Sequence, residues 1–215
     1  MAKLPKGIFG PISGKLGPLI GASWKGISYV RMTPKQTGRA KTLSEKQKAH
    51  HVKFGFFTKW FKPFHPFVTL GFRHLAEGTT EINAAFSYNY GAALTGQHPN
   101  YEIDYAKVLL SKGELPTMNS PQLTRIAPNE IRLDWEENSV FEKFGYDDQL
   151  MMVLYSRELQ LADGLSSGTK RAKKTCTVTF NSKLANYDLD VYVSFCALNG
   201  KEVSNSQYRG KIAAL

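Results

Sequence analysis

The 215-residue chain has only two cysteines, Cys176 and Cys196, and no apolar run approaching the about 20 residues that a helical membrane span requires. Disulfide scaffolds, zinc ribbons and helical membrane proteins are thereby excluded. The two thiols read as reduced, buried small hydrophobes, with a disulfide between them as the lesser alternative. Acid is scarce at one end. Residues 1–75 carry 14 lysines and arginines against a single acid, Glu45, whereas residues 76–215 carry 14 bases and 17 acids. The net charge of +10 therefore divides as +13 and −3. Such asymmetry suits contact with an anionic partner, whether nucleic acid, a lipid surface or an acidic face of a neighbouring subunit, and the plainer alternative is a solvated basic face.

Catalytic signatures are also lacking. There is no G-x-S-x-G elbow, no H-E-x-x-H and no local Cys–His pairing. His50 and His51 are adjacent on a predicted helix and diverge, which makes a poor chelate, and the other histidines, His65, His74 and His98, have few carboxylates near them in sequence. Asp147-Asp148 and the Asp188/Asp190 pair have the chemistry for a hard cation, but they stand where predicted strands begin, a place where acids commonly cap turns. Gly14-Lys15 fails as a phosphate loop because Gly10 is one residue too close and Leu16 replaces the required Ser or Thr. No catalytic, cofactor-binding or metal-ligating residue is assigned, no cofactor is expected, and the chain reads as a non-enzyme. Glycine and proline interrupt the apolar stretch after Lys3 and Lys6, so no secretory leader is read. Cytoplasmic synthesis is expected, with incorporation into a released or virion-like assembly as the extension of that reading.

Glycines at 7, 10, 14, 17 and 21 accompany a short repeat, Gly10-Pro-Ile-Ser-Gly-Lys-Leu16 and Gly17-Pro-Leu-Ile-Gly-Ala-Ser23. On a helix they would line one stripe, but Pro11 and Pro18 favour an extended arm, followed after a glycine bend by a strand over 23–32. The candidate arm residues are Ile8, Phe9, Ile12, Leu16, Leu19, Ile20, Trp24 and Tyr29. A segment so poor in core must borrow a surface, from its own domain or from a neighbour's sheet edge. A membrane-surface peptide over Gly7–Ala22 is weakened by the two prolines. The candidate basic surface comprises Lys15, Lys25, Arg31, Lys35, Arg39, Lys41, Lys46, Lys48 and Lys53.

Ser44-Glu-Lys-Gln47 has the form of a capping box, and Ala49, Val52, Phe56, Phe57 and Trp60 predict an apolar helix face up to Pro63. Two further helices are predicted from Pro66 to His74 and from Thr80 to Leu94. The phenylalanines between 54 and 72, interleaved with lysines, are read as core rather than as base-stacking residues. A strand is predicted over Glu102–Leu110, then a connector bearing Pro116, Pro121 and Pro128. Period-two alternation follows at Ile131/Leu133/Trp135, in the dense run Leu150–Tyr155, over Thr175–Phe180 and Asp190–Ala197, and a last strand over Val203–Ile212 follows the Asn199-Gly200 turn. This predicts a β-sandwich of immunoglobulin or fibronectin III type, with Leu184-x-x-Tyr187 placed like a tyrosine corner. The expected class is α+β, with a basic glycine-rich arm and strand over 1–43, a helical aromatic-rich region with a strand over 44–115, and a sandwich over 116–215.

The segments SGKLGPLIGASWKG and YVRMTP, the helix start at Ser44–Gln47, and the C-terminal VSNSQYRGKI resemble an uncharacterised family of bacterial proteins of about this length, common in Bacteroidota. The resemblance implies a domain of unknown function without assigned residues. The expected function is a structural subunit whose arm engages a neighbouring copy, or another assembly subunit, in a filament, tube or phage-like particle. The alternative is nucleic-acid binding through the basic third, and a third reading is a carbohydrate-binding or adhesion module.

Overall fold

Glycine-bearing turns shape the first elements. The computed structural model describes residues 2–4, 6–7, 10–34, 42–136 and 145–215, and the chain divides into two compact units, Met1–Ser44 and Glu45–Leu215. In the first unit Gly14–Leu16 (β1), Leu19–Trp24 (β2) and Ile27–Met32 (β3) form an antiparallel meander in the order β1-β2-β3. The strand expected over 23–32 is cut in two. Lys25 and Gly26 both adopt left-handed backbone, with φ of 45° and 80°, the conformation that a two-residue hairpin turn needs to match strand twist. The main chain of Ile12 lies where a Cβ on Gly21 would stand, so this close approach requires glycine. Thr33 closes the meander by donating from its N–H and its hydroxyl to the Pro18 carbonyl, at 2.7 and 3.0 Å.

The second unit begins with helix Glu45–Phe61 (α1), starting directly after Ser44. A 3-10 turn over Lys62–Phe64 carries Pro63, helix His65–Gly71 (α2) follows, and helix Glu81–Ala92 (α3) starts where the Thr80 hydroxyl accepts from the Asn83 N–H. The apolar face of α1 is rotated from the predicted one. Val52 and Phe56 are exposed, while Phe57, Trp60 and Phe61 are buried with Phe64, Phe67 and Phe72. Six of the eight aromatics between 54 and 72 thus form core, and Phe54 packs at 5.2 Å from Phe86.

Leu94–Gln97 (β4) and Asn100–Ile103 (β5) form a hairpin. The strand expected over Glu102–Leu110 ends early because the Asp104 carboxylate accepts from the Ala106 N–H and starts a 3-10 turn over Tyr105–Lys107. The main chain of Leu109 is then claimed by a side chain. Buried Asn89 donates to the Leu109 carbonyl and accepts from its N–H, both at 2.8 Å, and also donates to Ala85 O. These bonds tie α3 to the 108–110 segment.

The remaining strands are Asn119–Ala127 (β6), Glu130–Glu136 (β7), Gln149–Ser156 (β8), Leu161–Leu165 (β9), Thr175–Thr179 (β10), Leu189–Cys196 (β11) and Gln207–Ile212 (β12). They make two antiparallel sheets, β10-β7-β6 and β12-β11-β8-β9. β6 occupies part of the expected connector. It is an edge strand with register shifts on either side of Gln122–Arg125, and such a strand accommodates Pro121. The last strand starts at Gln207 rather than Val203, because Val203 and Ser204 make single bridges to Cys196 and Leu115.

The four-stranded sheet is the middle layer. On one face Leu150, Met152 and Leu154 of β8 and Leu189, Val191, Val193 and Phe195 of β11 meet Ile131, Leu133, Trp135, Cys176 and Val178 of the other sheet. On the opposite face Met151, Val153, Tyr155 and Tyr192 meet Phe57, Trp60, Phe61 and Phe64. Double burial accounts for the dense run read over Leu150–Tyr155, whereas the one-sided alternation expected over Asp190–Ala197 is not kept, because every residue of β11 is buried.

The C-terminal Val203-Ser-Asn-Ser206 sequence is a stitch. Ser204 Oγ accepts from Phe195 N, Ser206 Oγ accepts from Leu110 N, and Asn205 Oδ1 accepts from Gly113 N, while Ser111 Oγ donates to Ser204 O. At the corner expected around Leu184–Tyr187, the recorded closure runs through Arg125. Its guanidinium donates to the carbonyls of Pro128, Ala185, Tyr187 and Ala213 and reaches Leu184 O at 3.5 Å.

Cys176 and Cys196 are free and buried, and burial raises the Cys196 thiol, with Asp148 adding to the rise against Arg73. Neither thiol should react with Ellman's reagent until the protein is unfolded. Arg125→Ala strands several partly buried carbonyls at once and should lower the unfolding free energy by about 3 kcal/mol, read from urea denaturation.

Candidate assembly surface and the charged clusters

Cross-strand pairing sorts the meander into two faces. Leu16, Leu19, Val30 and Met32 share one face through the pairs Leu16↔Leu19, Gly21↔Val30 and Leu19↔Met32. Ile20, Trp24, Ile27 and Tyr29 share the other with Lys15 and Arg31, through Lys15↔Ile20, Ile20↔Arg31, Ala22↔Tyr29 and Trp24↔Ile27. Both faces are open. Met32 is 68% exposed and Val30 51% on the first, and Ile27 is 62% and Trp24 52% on the second. Among the described residues β3 pairs with β2 alone and exposes all six residues, leaving its other edge unpaired there. Ile12 is half-buried against Gly21. Ile8 and Phe9 lie outside the described residues, as do Lys35, Arg39 and Lys41.

The other predicted basic residues divide between the two units. Lys15, Lys25 and Arg31 belong to the meander, and Lys46, Lys48 and Lys53 to α1. Lys48 pairs with Glu45 at 2.7 Å, and the Lys53 ammonium sits 5.2 Å from the centre of the Tyr90 ring. Lys46 and Lys53 are seven residues apart and share one side of the helix, with Lys48 opposite.

The acids considered for a hard cation are held by bases. Asp147 pairs with Lys170 at 2.6 Å, Asp148 with Arg171 at 3.0 Å and Asp188 with Lys211 at 3.0 Å. Burial raises the Asp148 carboxyl, with Arg171 opposing, while the Lys211 bond holds the Asp188 carboxyl low. Arg171 also lies over the Phe195 ring at 4.0 Å and donates to Pro116 O. Among the described residues no three His, Cys, Asp or Glu side chains gather as a metal set.

Asp190 forms a different kind of site, one the sequence reading missed. Its side chain is fully buried on β11 and accepts Arg157 Nε and Nη2, both at 2.6 Å, and the Tyr208 hydroxyl at 2.6 Å. The Arg157 guanidinium stacks 3.7 Å from the centre of the Tyr105 ring. The Tyr192 hydroxyl donates to Tyr105 O at 2.9 Å. The bond to Asp190 raises the Arg157 guanidinium further. Burial raises the Tyr155 and Tyr192 hydroxyls, and burial with the Asp190 bond pushes Tyr208 up to about 12. The available signal was an acid inside the apolar run Leu189–Cys196, because a buried carboxylate there demands a cation.

Arg157→Ala leaves the Asp190 charge buried, whereas Asp190→Asn keeps a hydrogen-bonding group and leaves a half-exposed arginine free to reach water. Urea denaturation should therefore give a loss of about 3–5 kcal/mol for Arg157→Ala and about 1–2 kcal/mol for Asp190→Asn.

A model described as "Family of unknown function (DUF6266)" matches residues 11–210. No curated protein matches the chain.

Proposed function

The chain belongs to that family of unknown function, and we propose that it is a non-enzymatic assembly subunit whose N-terminal meander docks on a neighbouring copy. The observation that carries this reading is the pair of exposed apolar faces on β1–β3. An isolated small sheet with Leu16, Val30 and Met32 on one side and Trp24, Ile27 and Tyr29 on the other loses hydrophobic stabilisation on both sides until something covers it. Charge favours a second copy as the occupant, since residues 1–75 carry +13 and residues 76–215 carry −3. The unpaired β3 edge offers main-chain bonding to an adjacent sheet in the same contact.

We read the sandwich as fibronectin III-like. Its first, second and fifth strands share one sheet and its third, fourth, sixth and seventh share the other, which supports that reading, as does buried Trp135 against Phe195 at 5.8 Å.

A second reading has its own support. Lys15 and Arg31 share a face with exposed Trp24 and Tyr29, a combination suited to stacking bases and pairing phosphates of a single strand.

Light scattering after size exclusion, with negative-stain imaging, tests both at low and high salt with and without nuclease. Full-length protein should form regular assemblies that survive nuclease. The double variant Val30→Ser/Met32→Ser should weaken assembly at least tenfold, and deletion of residues 1–31 should abolish it while leaving the circular dichroism of the sandwich intact. A monomer under all conditions overturns the assembly reading. Enlargement only with nucleic acid transfers the function to the Trp24/Tyr29 face.

A further inference from the structure

The two outer edges of the meander differ in their main-chain groups. In an antiparallel pair, residues that bond across alternate with residues whose N–H and C=O point to the other side of the strand. Thr33 fixes the phase on β3. Its N–H donates to the Pro18 carbonyl in continuation of the Leu19↔Met32 register, so Ile27, Tyr29 and Arg31 bond toward β2 while Ser28, Val30 and Met32 direct N–H and C=O outward. The same alternation holds at the opposite edge. There Ser13, just before β1, directs its groups outward and exchanges both with Lys3, at 2.7 and 2.9 Å, and within β1 only Lys15 faces the same way. The β1 edge is thus closed by the Lys3 segment, whereas the β3 edge is open over its whole length among the described residues.

We propose that β3 pairs with β3 of a second copy, antiparallel about a two-fold axis at Val30, joining the two meanders into one continuous sheet. This rests on the reading of the meander as an assembly element and names how two copies meet. The closed β1 edge makes the contact self-complementary. A head-to-tail sheet would have to add β3 to an edge that Lys3 already occupies, so the open edge meets its own copy. The direction of the outward groups sets the register. With the axis at Val30, Ser28 faces the partner's Met32, Val30 faces the partner's Val30 and Met32 faces the partner's Ser28, and each pair exchanges N–H and C=O both ways. Moving the axis to Tyr29 or Arg31 leaves fewer complete pairs, and at Arg31 it also sets two guanidinia opposite each other. The side chains agree with this register. Between the bonded pairs Tyr29 stands opposite the partner's Arg31, so a ring and a cation meet across strands where two basic segments would otherwise repel. On the other face the Leu19, Val30 and Met32 surfaces of the two copies run together. Both apolar faces stay clear for the docking proposed above, and three strands from each copy make a sheet of ordinary size.

Disulfide mapping on the full chain tests the register, and light scattering tests the contact. Protein carrying Tyr29→Cys, mixed with protein carrying Arg31→Cys and oxidised, should form the mixed disulfide about tenfold faster than either variant links to itself. Opposed residues in such an unbonded pair lie about 4.5 Å apart between Cα atoms, whereas the same-residue pairs lie diagonally, about 7–8 Å apart, at or beyond the span of a disulfide. Cys176 and Cys196 are buried and stay out of the exchange. Val30→Pro removes the N–H on the axis and no bond to β2, a place where an edge strand tolerates proline, and should weaken self-association about tenfold. The mapping does not use this variant, so the register is tested even if the proline disturbs the meander. A link between two copies of one variant in place of the mixed link, assembly without the mixed link, or undiminished self-association of Val30→Pro overturns the pairing and leaves the assembly reading in place. A full-length chain that stays monomeric under all conditions overturns that reading and the pairing with it.

Discussion

Burial of one sheet on both of its faces is the constraint from which the second unit follows. β8 and β11 present Leu150, Met152, Leu154, Val191 and Val193 to the other sheet and Met151, Val153, Tyr155 and Tyr192 to the helices. An antiparallel sheet usually leaves one face to water, and alternation of polar and apolar residues follows from that. Here the helical layer removes the wet face, so alternation disappears from these two strands and survives in β7 and β10. The aromatic content of α1 and α2 has the same origin: Phe57, Phe61 and Phe64 are the cover that the second face requires.

A doubly covered sheet leaves little room for water at its ends, and arginines do the work there. Arg125 gathers the carbonyls of the β10–β11 corner and the C-terminus. Arg171 pairs with Asp148 while stacking on Phe195, and Arg157 pairs with Asp190 while stacking on Tyr105. A planar guanidinium with several donors suits each place, since it binds in its plane and packs against a ring on its face. Lysine offers neither combination.

The first unit obeys the opposite constraint. Its six-residue strands present apolar side chains on both faces, with Gly21 admitting the Ile12 main chain and Lys25-Gly26 reversing the direction of the chain. Within the described residues it has strands, turns and side chains suited to a core, yet those side chains face outward. On the reading proposed above such a sheet is one half of an interface, and the excess of positive charge in residues 1–75 bears on what would complete the other half.

Sequence by itself determined the elements whose signals are local. Pro63 and Pro66 bound α1 and α2, Thr80 starts α3, and period-two alternation at Ile131, Leu133 and Trp135 marks a strand, because capping, proline sterics and pleat act within a few residues. The apolar, aromatic and basic character of residues 12–31 was legible in the same way. Tertiary structure alone decided the rest. β6 looked like a proline-bearing connector until a neighbouring strand made it an edge, and the strand expected through Leu110 yielded to Asn89, a residue 20 positions away. The face of α1 turned toward Phe61 because the sheet it covers is formed by residues about 100 positions later. Arg157 and Asp190 stand 33 residues apart, so their convergence depends on which strands pair. Short-range sterics can be read along the chain, whereas a charge pair or a cleft exists only once distant segments have paid the entropy of meeting.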